Sequence, residues 1–226
     1  MAPTYVVGSR DRCPTVHVAR THHVSDASIH SMSDDKQFLR RHSLERRDLI
    51  THEEAHQAAQ ELTKNSLTCL KPIIALYPSN NALISLYWPI RSEINTRPLI
   101  DALSLLGHTI SLPIMHQVKQ PLVFRKFVPG DDLVKGPYGL SEPSDDKALI
   151  EPDIIFAPLA AFDRRGFRLG YGGGIYDATF TKLRNRKKIT AIGLAYALQE
   201  IDQVPIEPHD QKLDYLITER EIISFS

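Results

Sequence analysis

Amphipathic stretches with a period near 3.6 alternate along this chain with short, continuously apolar runs. The helical pattern is clearest after Thr51-His52-Glu53-Glu54, where Ala55, Ala58, Ala59, Leu62, Ser66 and Leu70 mark one side of a helix. Thr51 and Glu54 stand at capping-box spacing, and Pro72 is expected to end that helix. An Arg-rich helix is expected before it, from a Ser33 cap through about Ile50, with Asp34 and Asp35 at the positive end of its dipole. Asn95 or Thr96 can cap a third helix that Gly107 stops. A fourth follows the glycines at 170–174 and runs to about Asn185. The apolar runs at 73–77, 83–87, 109–113, 122–127, 153–158, 189–195 and 215–218 read as strands, with an Asn-containing turn between the first two. Residues 129–152 mix prolines and glycines with charges and read as a long surface loop.

Continuous apolar runs separated by helices predict strands buried on both faces. The expected fold class is α/β: a single-domain three-layer sandwich with a mostly parallel, open, Rossmann-like sheet and N-terminal helices. That domain is expected over residues 33–226. Residues 1–32 read as a poorly ordered extension, because no apolar periodicity is visible there. They carry His17, His22, His23 and His30, which lack the i, i+4 spacing of a helical metal site. Residues 1–20 contain no apolar core of a secretory signal. An acid-poor start with Arg and Ser resembles an organelle transit peptide only in composition. Met32 directly precedes the expected helix start and can serve as an initiator.

Composition narrows the function classes. Apolar residues make up 42% and charged residues 24%, which excludes a wholly disordered chain. Lys and Arg number 27 against 27 Asp and Glu, so the basic excess of a nucleic-acid binder is missing. No apolar run approaches the roughly 18 residues of a membrane span, so no membrane partner is expected. Cys13 and Cys69 form neither a metal spacing nor a disulfide framework, which fits a cytoplasmic setting. A monomer acting on small molecules is expected.

The most informative stretch is Arg168-Leu169-Gly170-Tyr171-Gly172-Gly173-Gly174-Ile175-Tyr176-Asp177. Four glycines in five positions lie between a buried strand and a helix. Backbone N–H groups at such a helix start form an anion site, and glycines allow close approach of a phosphate. A flexible turn is the alternative. The stretch is neither a Walker loop nor a dinucleotide fingerprint, since no Gly-Lys-Ser/Thr follows and position 175 is Ile. Arg168 adjoins the glycines and carries a fork suited to phosphate oxygens. Asp177 directly after the loop, and Asp210 and Asp214 before the last strand, offer hard oxygens of the kind Mg²⁺ takes beside phosphates. Singly, each reads equally as a cap or turn residue. Glu93, close to Tyr87 and Trp88, suits a flat ligand with N–H donors.

Residues 168–177 (RLGYGGGIYD) resemble the glycine-rich signature of the 5-formyltetrahydrofolate cyclo-ligase family. Further segments recur in family order: Lys36-x-x-x-Arg40 with Arg46-Arg47, Tyr87-Trp88-Pro89 with Glu93, Leu112-Pro113, Phe124-Arg125, Pro129-Gly130-Asp131, Glu142-Pro143, residues 153–158, residues 192–196, His209-Asp210 and Leu213-Asp214. The resemblance spans about residues 34–222. It implies closure of 5-formyltetrahydrofolate to 5,10-methenyltetrahydrofolate with ATP as co-substrate and Mg²⁺ as cofactor. The formyl oxygen would be phosphorylated, N10 would attack its carbon, and ADP and phosphate would be released.

The resemblance also implies roles. Lys36, Arg40, Arg168, Leu169, Gly170, Tyr171, Gly172, Gly173, Gly174, Ile175 and Tyr176 would hold ATP, with Arg168 and Tyr176 at the reacting atoms. Trp88, Glu93, Tyr171, Gly172, Gly173, Gly174 and Ile175 would face the folate. Asp177 and Asp210 would bind the metal. Ile175 stands where the family commonly has Tyr, and Ala178 where many bacterial members have Arg. Two other readings fit the α/β pattern: a sugar-phosphate isomerase or CoA-transferase relative, and a non-catalytic folate or nucleotide binder.

Overall fold

The computed structural model describes residues 26–77 and 82–225, with side chains from Asp35 onward. The expected extension falls mostly on residues 1–25, which lie outside the described residues, as do Asn80 and Asn81 of the expected turn. Helix α1 spans Asp26–Asp48 and α2 spans His52–Ile74. Strand β1 (Leu83–Ser85) is followed by α3 (Arg97–Leu105), β2 (Thr109–Ile114) and β3 (Val123–Phe127). Next come β4 (Leu133–Lys135), β5 (Ser141–Pro143), β6 (Ile154–Pro158), β7 (Ala161–Phe162) and β8 (Arg168–Leu169). Helix α4 (Ile175–Arg184), β9 (Thr190–Leu194), β10 (Tyr215–Ile217) and β11 (Ile222–Ser224) complete the chain.

Seven strands form one sheet in the order β11-β10-β9-β6-β1-β2-β3. The five central strands run parallel, and β3 and β11 close the two edges antiparallel. Alternate residues of each strand face opposite layers. Ile154, Phe156, Ile192 and Leu194 join α2 and α3 on one side. Ile155, Ala157 and Ala191 join Phe180 and Leu183 of α4 on the other. The result is the expected three-layer α/β sandwich. Among the described residues no helix is long and apolar enough to cross a membrane.

Several local expectations are corrected. Helix α1 begins before Ser33, so Ser33 is not its cap. Residues 26–32 contain neither Pro nor Gly, and nothing in them stops the helix from extending upstream. Pro72 does not end α2, which continues to Ile74. A helical Pro costs about 3 kcal/mol, but burial of Ile73 and Ile74 contributes roughly 1.5–3 kcal/mol each and outweighs it. Residues 73–77 are accordingly helix end and turn, not strand. The stretch 129–152 is not a plain loop, because β4 and β5 pair there as an antiparallel hairpin. Glu142 of that hairpin is buried and accepts the Met115 N–H at 2.9 Å, which docks the hairpin beside β2. The β7–β8 pair and β11, two and three residues long, were too short to read from periodicity.

Other expectations stand. The capping box at Thr51 and Glu54 is formed in both directions. Gly107 adopts φ +84°, and the His108 N–H reaches back to the Leu103 carbonyl at 3.1 Å to end α3. From β1 the chain winds outward to β2 and β3, then returns to β6 on the other side of β1. This reversal makes the carboxyl ends of β1 and β6 the topological switch point, where open α/β sheets bind ligands.

Candidate active site

A cavity of about 420 Å³ opens at that switch point. Pro158 at the end of β6, Tyr87 and Trp88 just beyond β1, and Met115 just beyond β2 form its floor. The start of α4 and its glycine loop form one wall, and Arg47 of α1 and Tyr138 of the hairpin close in from the sides.

The loop geometry follows from its glycines. Gly172 and Gly174 adopt φ +96° and +60°, where L side chains are strained. Gly174 occupies the N-cap position of α4 and supplies no side-chain cap. The first N–H groups of α4 therefore remain available at the cavity, where the helix dipole favours an anion.

Cations ring this loop. Arg40 donates from Nε to the Gly170 carbonyl at 2.7 Å, and its guanidinium lies beside Gly172. Arg168 is buried, donating to the Gln211 carbonyl at 2.7 Å and to Asp177 Oδ1 at 2.8 Å. Burial works against its charge, and Asp177 opposes that effect. Lys36 instead bonds Glu207 at 2.7 Å and Asp210 at 2.8 Å. Burial disfavours the Lys36 ammonium, but these two acids outweigh it and raise its pKa.

The Glu93 carboxylate is positioned by a tight turn. Arg91 takes the left-handed φ of +50°, and the Glu93 N–H closes on the Ile90 carbonyl at 3.0 Å. Glu93 Oε2 accepts the Ile90 N–H at 2.9 Å. The side chain is buried, and desolvation raises its pKa against the pull of the Tyr171 hydroxyl, the Ile90 N–H and Arg47. Tyr171 leaves 41% of its surface in solvent, yet its hydroxyl turns inward to Arg47 and Glu93. Trp88 packs edge-on to Phe127, with the Arg97 guanidinium 4.4 Å above its ring.

The cavity brings together Trp88, Glu93 and Arg168 with Gly170, Tyr171, Gly173 and Gly174 of the loop, and with Ile175, Tyr176 and Asp177 of α4. Arg40 and Gly172 stand against each other just outside its lining. The Leu169 side chain is in a small core with Ala161 and Val204. Asp210 lies apart from the lining, in a cluster with Glu207 and His209 whose two carboxylates both bond Lys36. Among the described residues, each assigned metal carboxylate keeps one oxygen without a hydrogen bond. Asp177 uses Oδ1 for Arg168 and Gln211, and Asp210 uses Oδ2 for Lys36 and the Glu207 N–H.

Arg47 and Tyr87, which the sequence reading quoted within family segments without giving either a role, both line the cavity and are buried. Arg47 is 2% exposed and falls on the same face of α1 as Lys36, Arg40 and Ser43. That i, i+4, i+7, i+11 spacing was the available signal.

The sequence profile of the 5-formyltetrahydrofolate cyclo-ligase family matches residues 32–219. The chain is similar to the 5-formyltetrahydrofolate cyclo-ligase of Haemophilus influenzae, with 34% identity over 169 residues that cover 73% of this chain and 87% of the relative. It is similar to the Escherichia coli K12 enzyme of the same name, with 28% identity over 183 residues, 79% of this chain and 97% of the relative. Among solved structures it resembles the 5,10-methenyltetrahydrofolate synthetase of Aquifex aeolicus, with TM-score 0.68, 27% identity and coverage of 84% and 92% of the two chains. It also shares the fold of the Mycoplasma pneumoniae 5,10-methenyltetrahydrofolate synthetase, with TM-score 0.64, 23% identity and coverage of 82% and 99%.

Proposed function

This chain belongs to the 5-formyltetrahydrofolate cyclo-ligase family and is an enzyme of that activity, and we propose that MgATP drives the cyclisation in the cavity at the switch point. The reading is supported above all by one juxtaposition: an uncapped helix start wrapped in glycines faces the same cavity as a buried carboxylate. The first suits phosphate oxygens and the second suits the N–H edge of a pterin.

In this reading ATP transfers its γ-phosphoryl group to the formyl oxygen of 5-formyltetrahydrofolate, releasing ADP. N10 attacks the formyl carbon, the ring closes, the N10 proton is lost, and the C–O bond breaks to release phosphate. The protein supplies position and charge rather than a nucleophile. Arg40, Arg168 and the N–H groups at the start of α4 neutralise and orient the phosphates, with Lys36 further along the same helix face. Tyr176 and Arg168 stand at the reacting end, and Glu93 with Trp88 holds the pterin. The free oxygens of Asp177 and Asp210 fit a hard cation that uses one or two carboxylates and keeps its waters. Bound there, Mg²⁺ would screen phosphate charge.

The working domain is proposed to be residues 33–226, acting as a monomer in the cytoplasm. The family match removes the sugar-phosphate isomerase and CoA-transferase readings. Purified protein with 5-formyltetrahydrofolate should form the methenyl chromophore with MgATP and not without it. Formation at an equal rate without ATP would overturn the phosphorylation step.

A further inference from the structure

The β4–β5 hairpin brings an aromatic ring to the cavity, and its sequence is built to hold that ring in place. Residues 136–139 form its turn: the Gly139 N–H donates to the Gly136 carbonyl at 2.9 Å, and the Gly136 N–H donates to the Leu140 carbonyl at 2.9 Å. Pro137 fixes φ inside the turn, and Gly139 closes it with a positive φ of +71°. One side chain fastens this turn to the body. Glu142 Oε1 accepts the Met115 N–H at 2.9 Å, and the same carboxylate fills the space that a Cβ at Gly136 would need. Tyr138 and Leu140 line the cavity from the hairpin. Tyr138 nevertheless leaves 47% of its surface in solvent, and its side chain makes no hydrogen bond or ring contact among the described residues. A pinned turn thus presents to the cavity an aromatic ring that the protein itself does not stack upon.

We propose that Tyr138 is a specificity-determining substrate contact that packs on the aryl ring attached to N10 of 5-formyltetrahydrofolate. The inference rests on the reading of this cavity as the site of ATP-driven cyclisation. N10 has to reach the formyl carbon while the phosphoryl group on the formyl oxygen sits at the start of α4. The aryl substituent of N10 then lies beside Ile175, the first residue of that helix. Met115 and Leu122 pack with Ile175 in one apolar cluster, and all three line the cavity. This wall carries no charge, which suits a benzene ring better than the polar edge of a pterin. The hairpin is docked on the same wall, at Met115. Aromatic rings in contact attract one another beyond their buried area, and a ring held here also fixes the approach of N10 to the formyl carbon.

The test is Tyr138→Ala in the full chain, with Tyr138→Phe beside it. Ligand-free thermal unfolding of both should match wild type, because the side chain is half exposed and loses no bond. In Tyr138→Ala the KM for 5-formyltetrahydrofolate should rise about three- to tenfold while the KM for ATP holds. Tyr138→Phe keeps the ring and should stay near wild type. Competition by a 5-formyltetrahydropterin that lacks the aminobenzoylglutamate separates the two halves of the substrate: its inhibition constant should be the same in wild type and Tyr138→Ala. An unchanged folate KM in Tyr138→Ala would overturn the proposal. Equal weakening of the truncated pterin would also overturn it, by placing Tyr138 on the pterin, as would a rise in the ATP KM alone, by placing it on the nucleotide. If wild-type protein itself shows no saturation by 5-formyltetrahydrofolate, the folate reading falls and takes this inference with it.

Discussion

Arg47 donates from Nη1 to the Tyr171 hydroxyl at 2.7 Å, joining α1 to a glycine loop 124 residues away. Its Nε bonds Ser92 Oγ at 3.0 Å, and its guanidinium lies 5.7 Å from the centre of the Tyr171 ring. The Tyr171 hydroxyl in turn acts on Glu93. The glycine loop and the buried Glu93 carboxylate thus share one polar network. Arg47→Ala should cost about 2–3 kcal/mol of stability, as expected for a buried charged donor, and Tyr171→Phe about 1 kcal/mol. Because the two groups touch, a double-mutant cycle should give a coupling of about 0.5–3 kcal/mol in folate affinity. Additive effects would show that the loop and α1 act separately.

The glycines differ in what they tolerate. Gly172→Val and Gly174→Val place a branched residue at positive φ, so each should cost roughly 1–2 kcal/mol of stability and most of the ATP affinity. Gly170 has an ordinary φ, and an added Cβ there meets nothing within 4 Å. Gly170→Ala should unfold like wild type, so any loss of turnover in it reads phosphate approach alone. Near-wild-type turnover in both valine variants would remove the loop from the site.

Much of this was legible in the sequence, for identifiable reasons. The buried parallel strands read correctly because each is a continuous apolar run, and α2 because its capping box and period agree. Pro72 misled because a breaker biases a helix end by only a few kcal/mol, which burial of Ile73 and Ile74 overrides, and Ser33 misled because the residues before it carry no helix stop. The β4–β5 hairpin was hidden because its three-residue strands are mostly exposed or polar. Glycines and acids mark a site by type, whereas Tyr87 and Arg47 gain their meaning from burial. Lys36 is similar: its partners Glu207 and Asp210 lie 171 and 174 residues away.

The two assigned metal acids should separate on mutation. Asp177 balances Arg168, whose side chain is 3% exposed, so Asp177→Asn leaves a buried cation underpaired. A loss of about 2–3 kcal/mol is expected, below the 3–5 kcal/mol of fully buried pairs because Asp177 is 20% exposed. Asp210→Asn should cost less, since Lys36 retains Glu207. Both should raise the Mg²⁺ needed for half-maximal turnover. If neither shifts that titration, the metal assignment is wrong.

Ile175 lines the cavity from the first residue of α4, and its side chain fills the space that a Cβ at Gly173 would need. Ile175→Tyr introduces the common family residue. Turnover should rise or stay level, because the cavity of about 420 Å³ can take the added ring. A collapse of turnover with unchanged thermal unfolding would mean that the pocket around position 175 has adapted to an apolar side chain.

Glu93 links stability to function through pH. Its pKa is raised from the ordinary 4.5, chiefly by burial, which the Tyr171 hydroxyl, the Ile90 N–H and Arg47 only partly offset. The sign follows from the direction of that shift. Below 4.5 the carboxyl is neutral in both the folded and unfolded chain, and its favourable neutral burial is fully present. As pH climbs through the raised folded value, ionisation in place costs stability, and the loss is complete above it. The side-chain amide introduced by Glu93→Gln cannot ionise and can still accept the Ile90 N–H. That variant should therefore match wild type in acid and become the more stable protein as pH approaches neutrality. The same change removes a charged acceptor worth roughly 1.5–3 kcal/mol, so affinity for 5-formyltetrahydrofolate should fall about tenfold or more while ATP affinity holds. Thermal unfolding of both proteins across that pH range, paired with ligand titrations at neutral pH, checks both halves. A stability gap that does not change with pH would mean the Glu93 carboxylate is not strained by its burial, and equal losses for both ligands would mean it is not the folate acid.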